Sequence, residues 1–133
     1  MKEKNYLTKV AKEQLKNCKG FIEANNYEII KVEENYCELE GTLTETSTNH
    51  LGTAHGGYIF GLADTAAGIA AMTDGRKAVT INSSIDYLKI GKGNKIKAIA
   101  KCIKNGSSVS FFEVLIYDQE TLIAKANINY YYL

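Results

Sequence analysis

The chain has 133 residues, 45% apolar and 23% charged, the make-up of one soluble globular domain large enough to build its own core. With 16 Lys and Arg against 15 Asp and Glu, its net charge of +1 excludes the global basicity expected of a nucleic-acid or anionic-membrane binder. Cys18, Cys37 and Cys102 form no C-x-x-C pair, and no His/Cys/Asp set has zinc-ligand spacing, so reduced cysteines and no metal site are expected.

Residues 3–16 bring Tyr6, Leu7, Val10, Ala11 and Leu15 near one face with Lys and Glu opposite, which predicts a short amphipathic helix. Gly20 ends it, with Phe21 to Ala24 able to add a turn, so that 1–24 form an N-terminal helical segment of a single domain spanning 1–133. This start is charged throughout and has no apolar signal core, which leads to the expectation of a cytoplasmic protein. Tyr27–Val32 and Tyr36–Leu43 read as strands joined by the polar turn Glu33-Glu34-Asn35. A polar loop, Thr44 to Asn49, precedes an apolar helix from about Gly56 to Met72, which Asp74-Gly75-Arg76 closes. That helix is apolar almost all the way round and should be buried on most sides; with Asp64 inside it, it is also too short to cross a membrane. Four strand-like runs follow, at 78–89, 95–104, 109–117 and 122–132, and read as a meander. In the last, Leu122, Ala124, Ala126, Ile128, Tyr130 and Tyr132 should face one way. An antiparallel sheet wrapped around a long central helix, an α+β arrangement, satisfies this order of elements.

The chemistry concentrates between Asn49 and Met72. Gly56 and Gly57 put bare backbone N–H groups at a helix start, where unpaired donors and the helix dipole favour negative charge. Asp64 stands among Leu62, Ala63, Ala66, Ala67, Ile69 and Ala70, with no Arg or Lys between Gly57 and Thr73; such a carboxylate is costly unless paired, solvated or used. An oxyanion-stabilising end and a carboxylate base together point to acyl transfer or ester hydrolysis.

The motif N-x-x-G-x-x-H-G-G-x-x-x-x-L-A-D, from Asn49 through Asp64, is followed by A-V-T-I-N-S-S-I-D-Y-L-K at 78–89 and F-E-V-L-I-Y-D at 112–118. With these the chain resembles the hotdog-fold acyl-CoA thioesterases of the phenylacetate-degradation (PaaI) type, over roughly residues 25–130. The resemblance implies that the Gly56 N–H polarises the thioester carbonyl, with Gly57 beside it. Asn49 would position that carbonyl or the attacking water. Asp64 would act as general base, or as nucleophile as in some relatives, and Thr80 would hold the water, with Ser83 and Ser84 as neighbouring alternatives. His55 would order the loop rather than move protons. Asn105 and Gly106 would lie near the nucleotide end of coenzyme A. Tyr58, Phe60, Leu62 and Ile81 could line the acyl pocket. No metal or organic cofactor is implied, since CoA is part of the substrate. Family members commonly carry proline where this chain has Ile90-Gly91, so the loop after 78–89 should differ.

Each residue also has a plainer reading: Asp64 as a structural carboxylate, Asn49 as a loop or N-cap residue, Thr80 as an ordinary strand threonine. Tyr130, Tyr131 and Tyr132 read as sheet and core surface. Lys89, Lys92, Lys95, Lys97, Lys101 and Lys104 read first as a solvated face and second as contacts for the phosphates of CoA.

Gly56 and Asp64 are eight residues apart on one helix, which is about 12 Å of rise and about 80° of rotation. Donor and base must both come within about 3 Å of one carbon, so the expected site joins two chains across a two-fold axis. An obligate homodimer follows, with a dimer of dimers the form common in the family. The expected activity is hydrolysis of an acyl-CoA to acid and CoA. The alternative is a non-catalytic binder of acyl-CoA or a small ligand, and a hotdog dehydratase is disfavoured by the absence of its His loop and helix Glu.

Overall fold

The computed structural model describes residues 2–18 and 20–133. Helix α1 (Lys2–Leu15) and the short α2 (Phe21–Ala24) lead into β1 (Tyr27–Glu33) and β2 (Tyr36–Thr42). The turn between these strands uses Asn35 in the left-handed region, at φ 56°, which asparagine tolerates better than most residues. A 3-10 turn at Glu45–Ser47 lies inside the loop expected to be irregular. Helix α3 (Gly56–Ala71) follows, then β3 (Ala78–Tyr87), β4 (Lys95–Asn105), β5 (Val109–Asp118) and β6 (Thr121–Tyr132). No helix among the described residues is long and apolar enough to cross a membrane.

The six strands form one antiparallel sheet in the order β1-β2-β4-β5-β6-β3. The expected four-strand meander is therefore corrected: only β4, β5 and β6 run as neighbours. Strand β3 crosses to the far edge and pairs with β6 from Ala78↔Tyr132 to Tyr87↔Ala124. Turn signals locate the ends of strands, but they carry no information about which strand a run will pair with.

Helix α3 lies on the sheet with Tyr58, Ile59, Leu62, Ala63, Ala66, Ala67, Ala70 and Ala71 buried. Its alanines meet Ala98, Ala100, Ala124 and Ala126 on the inner face of the sheet, and these small side chains let helix and sheet approach closely. Burial on most sides is expected, but the fully buried positions lie on the face toward the sheet. Phe60, Gly61, Asp64, Thr65, Gly68 and Ile69 on the remaining faces stay only partly buried. The alternation of β6 holds from Ala124 to Tyr132, but Leu122 is half-buried while Ile123 is fully buried. A register shift between Ile116 and Tyr117 on β5 moves the pattern by one residue at that end.

The two outer strands differ. Edge strand β1 is covered by α1, and the Thr8 hydroxyl accepts from the Val32 N–H at 2.9 Å and donates to the Val32 carbonyl at 3.2 Å. Edge strand β3 is uncovered, with Val79 and Ile81 about half exposed at 46% and 54%.

Candidate functional site

Two polar clusters lie along α3. The first is at its N-terminus. His55 is the N-cap, and its Nδ1 accepts from the Gly57 N–H at 2.8 Å, so a neutral ring carries its proton on Nε2. The Tyr58 and Ile59 N–H groups donate to the His55 carbonyl. The Gly56 N–H donates to no acceptor among the described residues, whereas the Gly56 carbonyl accepts from the Tyr87 hydroxyl at 2.6 Å. Strand β3 thus holds the first turn of α3 through the far end of a tyrosine. A Cβ on Gly56 would sit 3.3 Å from that ring, tighter than ordinary contact.

Asn49 organises the loop leading to this end. Its Oδ1 accepts from the N–H groups of Leu51 and Thr53, at 2.9 and 3.1 Å, and its Nδ2 donates to Thr53 Oγ1 at 2.9 Å. The backbone N–H of Asn49 donates to the Thr53 carbonyl and that of Gly52 to the Asn49 carbonyl, closing the turn. In this chain the amide is therefore occupied inside its own loop, which is the plainer of its two readings.

The second cluster surrounds Asp64, two turns further along α3. Thr80 Oγ1 on β3 donates to Asp64 Oδ1 at 2.8 Å. Tyr130 on β6 donates to the same oxygen at 2.7 Å and also reaches the Asp64 backbone carbonyl. Asp64 is half-exposed rather than buried among alanines, which corrects the expectation from its neighbours in sequence. Its flanking alanines face the sheet, while the carboxylate lies on the helix's open side. Tyr130 is only 2% exposed. Burial first, and the nearby Asp64 charge second, push its phenol far above the ordinary tyrosine range, so it remains a proton donor.

Beside this carboxylate lies an open cleft of about 390 Å³. Apart from Thr65, its other walls are apolar or glycine: Leu15 from α1, Ile22 from α2, Gly68, Ile69 and Met72 at the end of α3, and Ala78 and Val79 of β3. Among the described residues, no Lys or Arg lines it.

The remaining sequence-predicted residues lie elsewhere. Tyr58, expected on a pocket wall, is in the core at 5% exposure; its hydroxyl donates to the Asn25 carbonyl at 2.7 Å and burial pushes its phenol up to about 12. Leu62 is fully buried as well. Ser83 is half-buried on β3 opposite Ile128, with no side-chain hydrogen bond among the described residues. Asn105 and Gly106 form part of the β4–β5 turn, which Arg76 grips. Its guanidinium donates to the Gly106 carbonyl at 3.0 Å and to Asn105 Oδ1 at 2.8 Å, and lies 3.5 Å over the Tyr132 ring. Of the lysine group, Lys97 pairs with Glu38 at 3.0 Å and Lys95 with Glu40 at 3.6 Å. Lys89, Lys92, Lys101 and Lys104 are exposed and form no ion pair among the described residues.

So the structure brings Asp64 and Thr80 together, keeps His55, Gly56 and Gly57 together at the helix start, and separates the two groups along α3. Sequence reasoning missed Tyr130 as a partner of Asp64 and Tyr87 as a partner of Gly56. One signal for Tyr130 was available: an inward-facing tyrosine on a buried strand needs a partner for its hydroxyl.

The thioesterase superfamily model matches residues 51–125, from the loop before α3 into β6. The acyl-coenzyme A thioesterase PaaI of Escherichia coli is 31% identical over 94 residues, which cover 70% of this chain and 67% of that protein. Its solved structure superposes with a TM-score of 0.88 over 98% of this chain and 96% of its own, at 24% identity. A hypothetical thioesterase protein of Streptococcus pneumoniae, solved with coenzyme A, has a TM-score of 0.77 at 33% identity, covering 81% of this chain and 86% of that one. That protein was also solved with an aspartate and, separately, a threonine replaced by alanine. Those two positions are sixteen residues apart, as Asp64 and Thr80 are here. A Streptococcus mutans protein bound to acetyl-CoA gives a TM-score of 0.77 at 30% identity, over 81% of this chain and 89% of its own. With the sheet-wrapped helix and the H-G-G…D segment both in place, the chain belongs to the thioesterase superfamily and is a PaaI-like hotdog-fold thioester hydrolase.

Proposed function

We propose that the protein hydrolyses acyl-CoA thioesters at a site shared between two copies of the chain. The observation that carries this reading is the pair of half-sites on one helix. An unpaired Gly56 N–H stands at the positive end of α3, and a carboxylate two turns away borders an apolar cleft. An antiparallel pair of α3 helices sets the Gly56 of one copy against the Asp64 of the other. The partly buried faces of α3 and the exposed strand β3 are the surfaces such a pairing would use.

In the reaction, the thioester carbonyl oxygen accepts from the Gly56 N–H. Asp64 removes a proton from water as the water oxygen bonds to the carbonyl carbon. The negative charge then rests on the oxyanion, where a preorganised donor contributes on the order of 3–4 kcal/mol. Collapse of this intermediate breaks the carbon–sulfur bond, and the departing thiolate takes the proton held by Asp64. No metal or organic cofactor enters this sequence. Among the described residues, no group of three or more His, Cys, Asp or Glu could hold a metal ion. The acyl group extends along the cleft of Leu15, Ile22, Ile69 and Met72, whose apolar side chains suit a hydrocarbon. The CoA phosphates meet the unpaired surface lysines. Binding of CoA and acetyl-CoA by the streptococcal relatives supports the substrate class, and the aspartate and threonine chosen for substitution in one of them support the pairing of Asp64 with Thr80.

The test is thiol release from a panel of aryl-, short-, medium- and long-chain acyl-CoAs, with Asp64→Asn alongside and the assembly state measured by sedimentation. Turnover by a dimer or larger assembly, lost in the variant with CoA binding retained, is the expected result. Silence across the panel with CoA still bound would favour the non-catalytic binder, and a turning-over monomer would discard the shared site.

A further inference from the structure

The two oxygens of the Asp64 carboxylate are in different situations. Oδ1 accepts two hydrogen bonds, from Thr80 Oγ1 at 2.8 Å and from Tyr130 at 2.7 Å. Oδ2 accepts none among the described residues. The two donors also differ in kind. Thr80 is exposed on the uncovered edge strand β3. Tyr130 is rooted in β6, between β5 and β3, with its ring buried edge-on against Phe112 at 5.9 Å between centroids. Its hydroxyl touches both the carboxylate and the backbone carbonyl of Asp64, so it fixes the side chain relative to its own helix turn.

We propose that Tyr130 is the positioning residue of this active site: by holding Oδ1, it leaves Oδ2 as the oxygen that takes the proton from water. This deepens the hydrolase reading and rests on it. The phenol keeps its proton throughout and transfers nothing; it acts only by restricting the carboxylate to one orientation. General-base catalysis depends on geometry within hydrogen-bond reach, and a carboxylate free to rotate spends much of its time presenting the wrong oxygen.

The test uses Tyr130→Phe, which keeps the ring against Phe112 and removes one oxygen, together with Thr80→Val and the double variant in the full-length protein. Tyr130→Phe should lower kcat about 10- to 100-fold, the scale of one hydrogen bond to a charged group, with KM within about twofold because the substrate does not touch the phenol. Thr80→Val should cost less. The double variant should lose more than the product of the two single losses, because each donor partly covers for the other. Crystal structures of the wild type and Tyr130→Phe supply a readout independent of turnover: the Asp64 side chain should hold one rotamer in the wild type and leave it or split in the variant. A folded Tyr130→Phe protein with wild-type kcat, or with an unmoved carboxylate, overturns the proposal. A wild type that cleaves no thioester defeats the hydrolase reading instead, and the rotamer comparison then still judges whether Tyr130 positions Asp64.

Discussion

The two half-sites on α3 are built by opposite means. At the helix start, most parts come from one short stretch: Asn49 closes its own loop and His55 caps Gly57, while Tyr87 and the Gly91 carbonyl, which accepts from the Ala54 N–H, arrive from further along the chain. At Asp64, the partners come from 16 and 66 residues away and from two strands of the sheet. Local construction suits a donor that must be left bare, since loop and cap take up the neighbouring N–H groups of Leu51, Gly52, Thr53 and Gly57 and spare that of Gly56. Long-range construction suits a carboxylate that must be held still, because strands paired in a sheet are stiffer than a loop. The first half-site is an arrangement of backbone, and the second is an arrangement of side chains.

This contrast predicts where substitutions act. Asp64→Asn should reduce kcat by about 10²- to 10⁴-fold while leaving the melting temperature near that of the wild type; a large loss of stability with activity retained would reverse the assignment of that half-site to chemistry. His55→Ala should do the converse. It removes the acceptor of the Gly57 N–H and should cost about 1 kcal/mol of stability, read as a lower Tm, with a smaller fall in kcat as the helix start frays. If His55→Ala instead matches Asp64→Asn in kcat at unchanged Tm, His55 moves protons and the contrast breaks. Ile22→Trp fills the cleft from α2, outside both half-sites. It should shift preference toward shorter acyl groups by a few-fold in kcat/KM, at the scale of one to a few methylenes, with acetyl-CoA least affected.

The smallest effect expected concerns Glu38, remote from both half-sites. Burial pulls its carboxyl upward, but the Tyr36 hydroxyl at 2.7 Å and the Lys97 ammonium at 3.0 Å together outweigh that and hold it below the usual glutamate range. A carboxylate depressed in the folded state stabilises the protein fully above its unfolded-chain value and loses that contribution as pH falls through the folded value. Glu38→Gln should therefore make Tm fall less steeply on acidification below about pH 4.3, without changing the acyl preference.

The sequence showed the locally built half-site more clearly than the other. The H-G-G at a helix start, the polar loop before it and the carboxylate one further stretch along the helix could each be read from neighbours in the chain. Thr80 came from the family pattern and not from its own setting. Tyr130 was visible only as an inward-facing residue, because which acceptor its hydroxyl meets depends on how β6 lies across α3, and no local period encodes that. The same limit explains the misplaced β3, whose length and ends were close to those expected while its partner was not. Tyr58 shows the reverse error: position in the motif suggested a pocket wall, but its angle on the helix turns it toward Tyr27 and the core.

The pairing of β3 with β6 has a consequence for how the molecule is made. On a chain emerging from the ribosome, α3 and the Thr80 strand appear long before the residues they need, and β3 has no partner until β6 follows it. At ordinary rates of about 5–20 residues per second, that interval lasts some seconds, during which an apolar helix and an unpaired strand are exposed together. The carboxylate cluster thus closes only once β6 has emerged, because the strand that pairs with β3 also carries Tyr130.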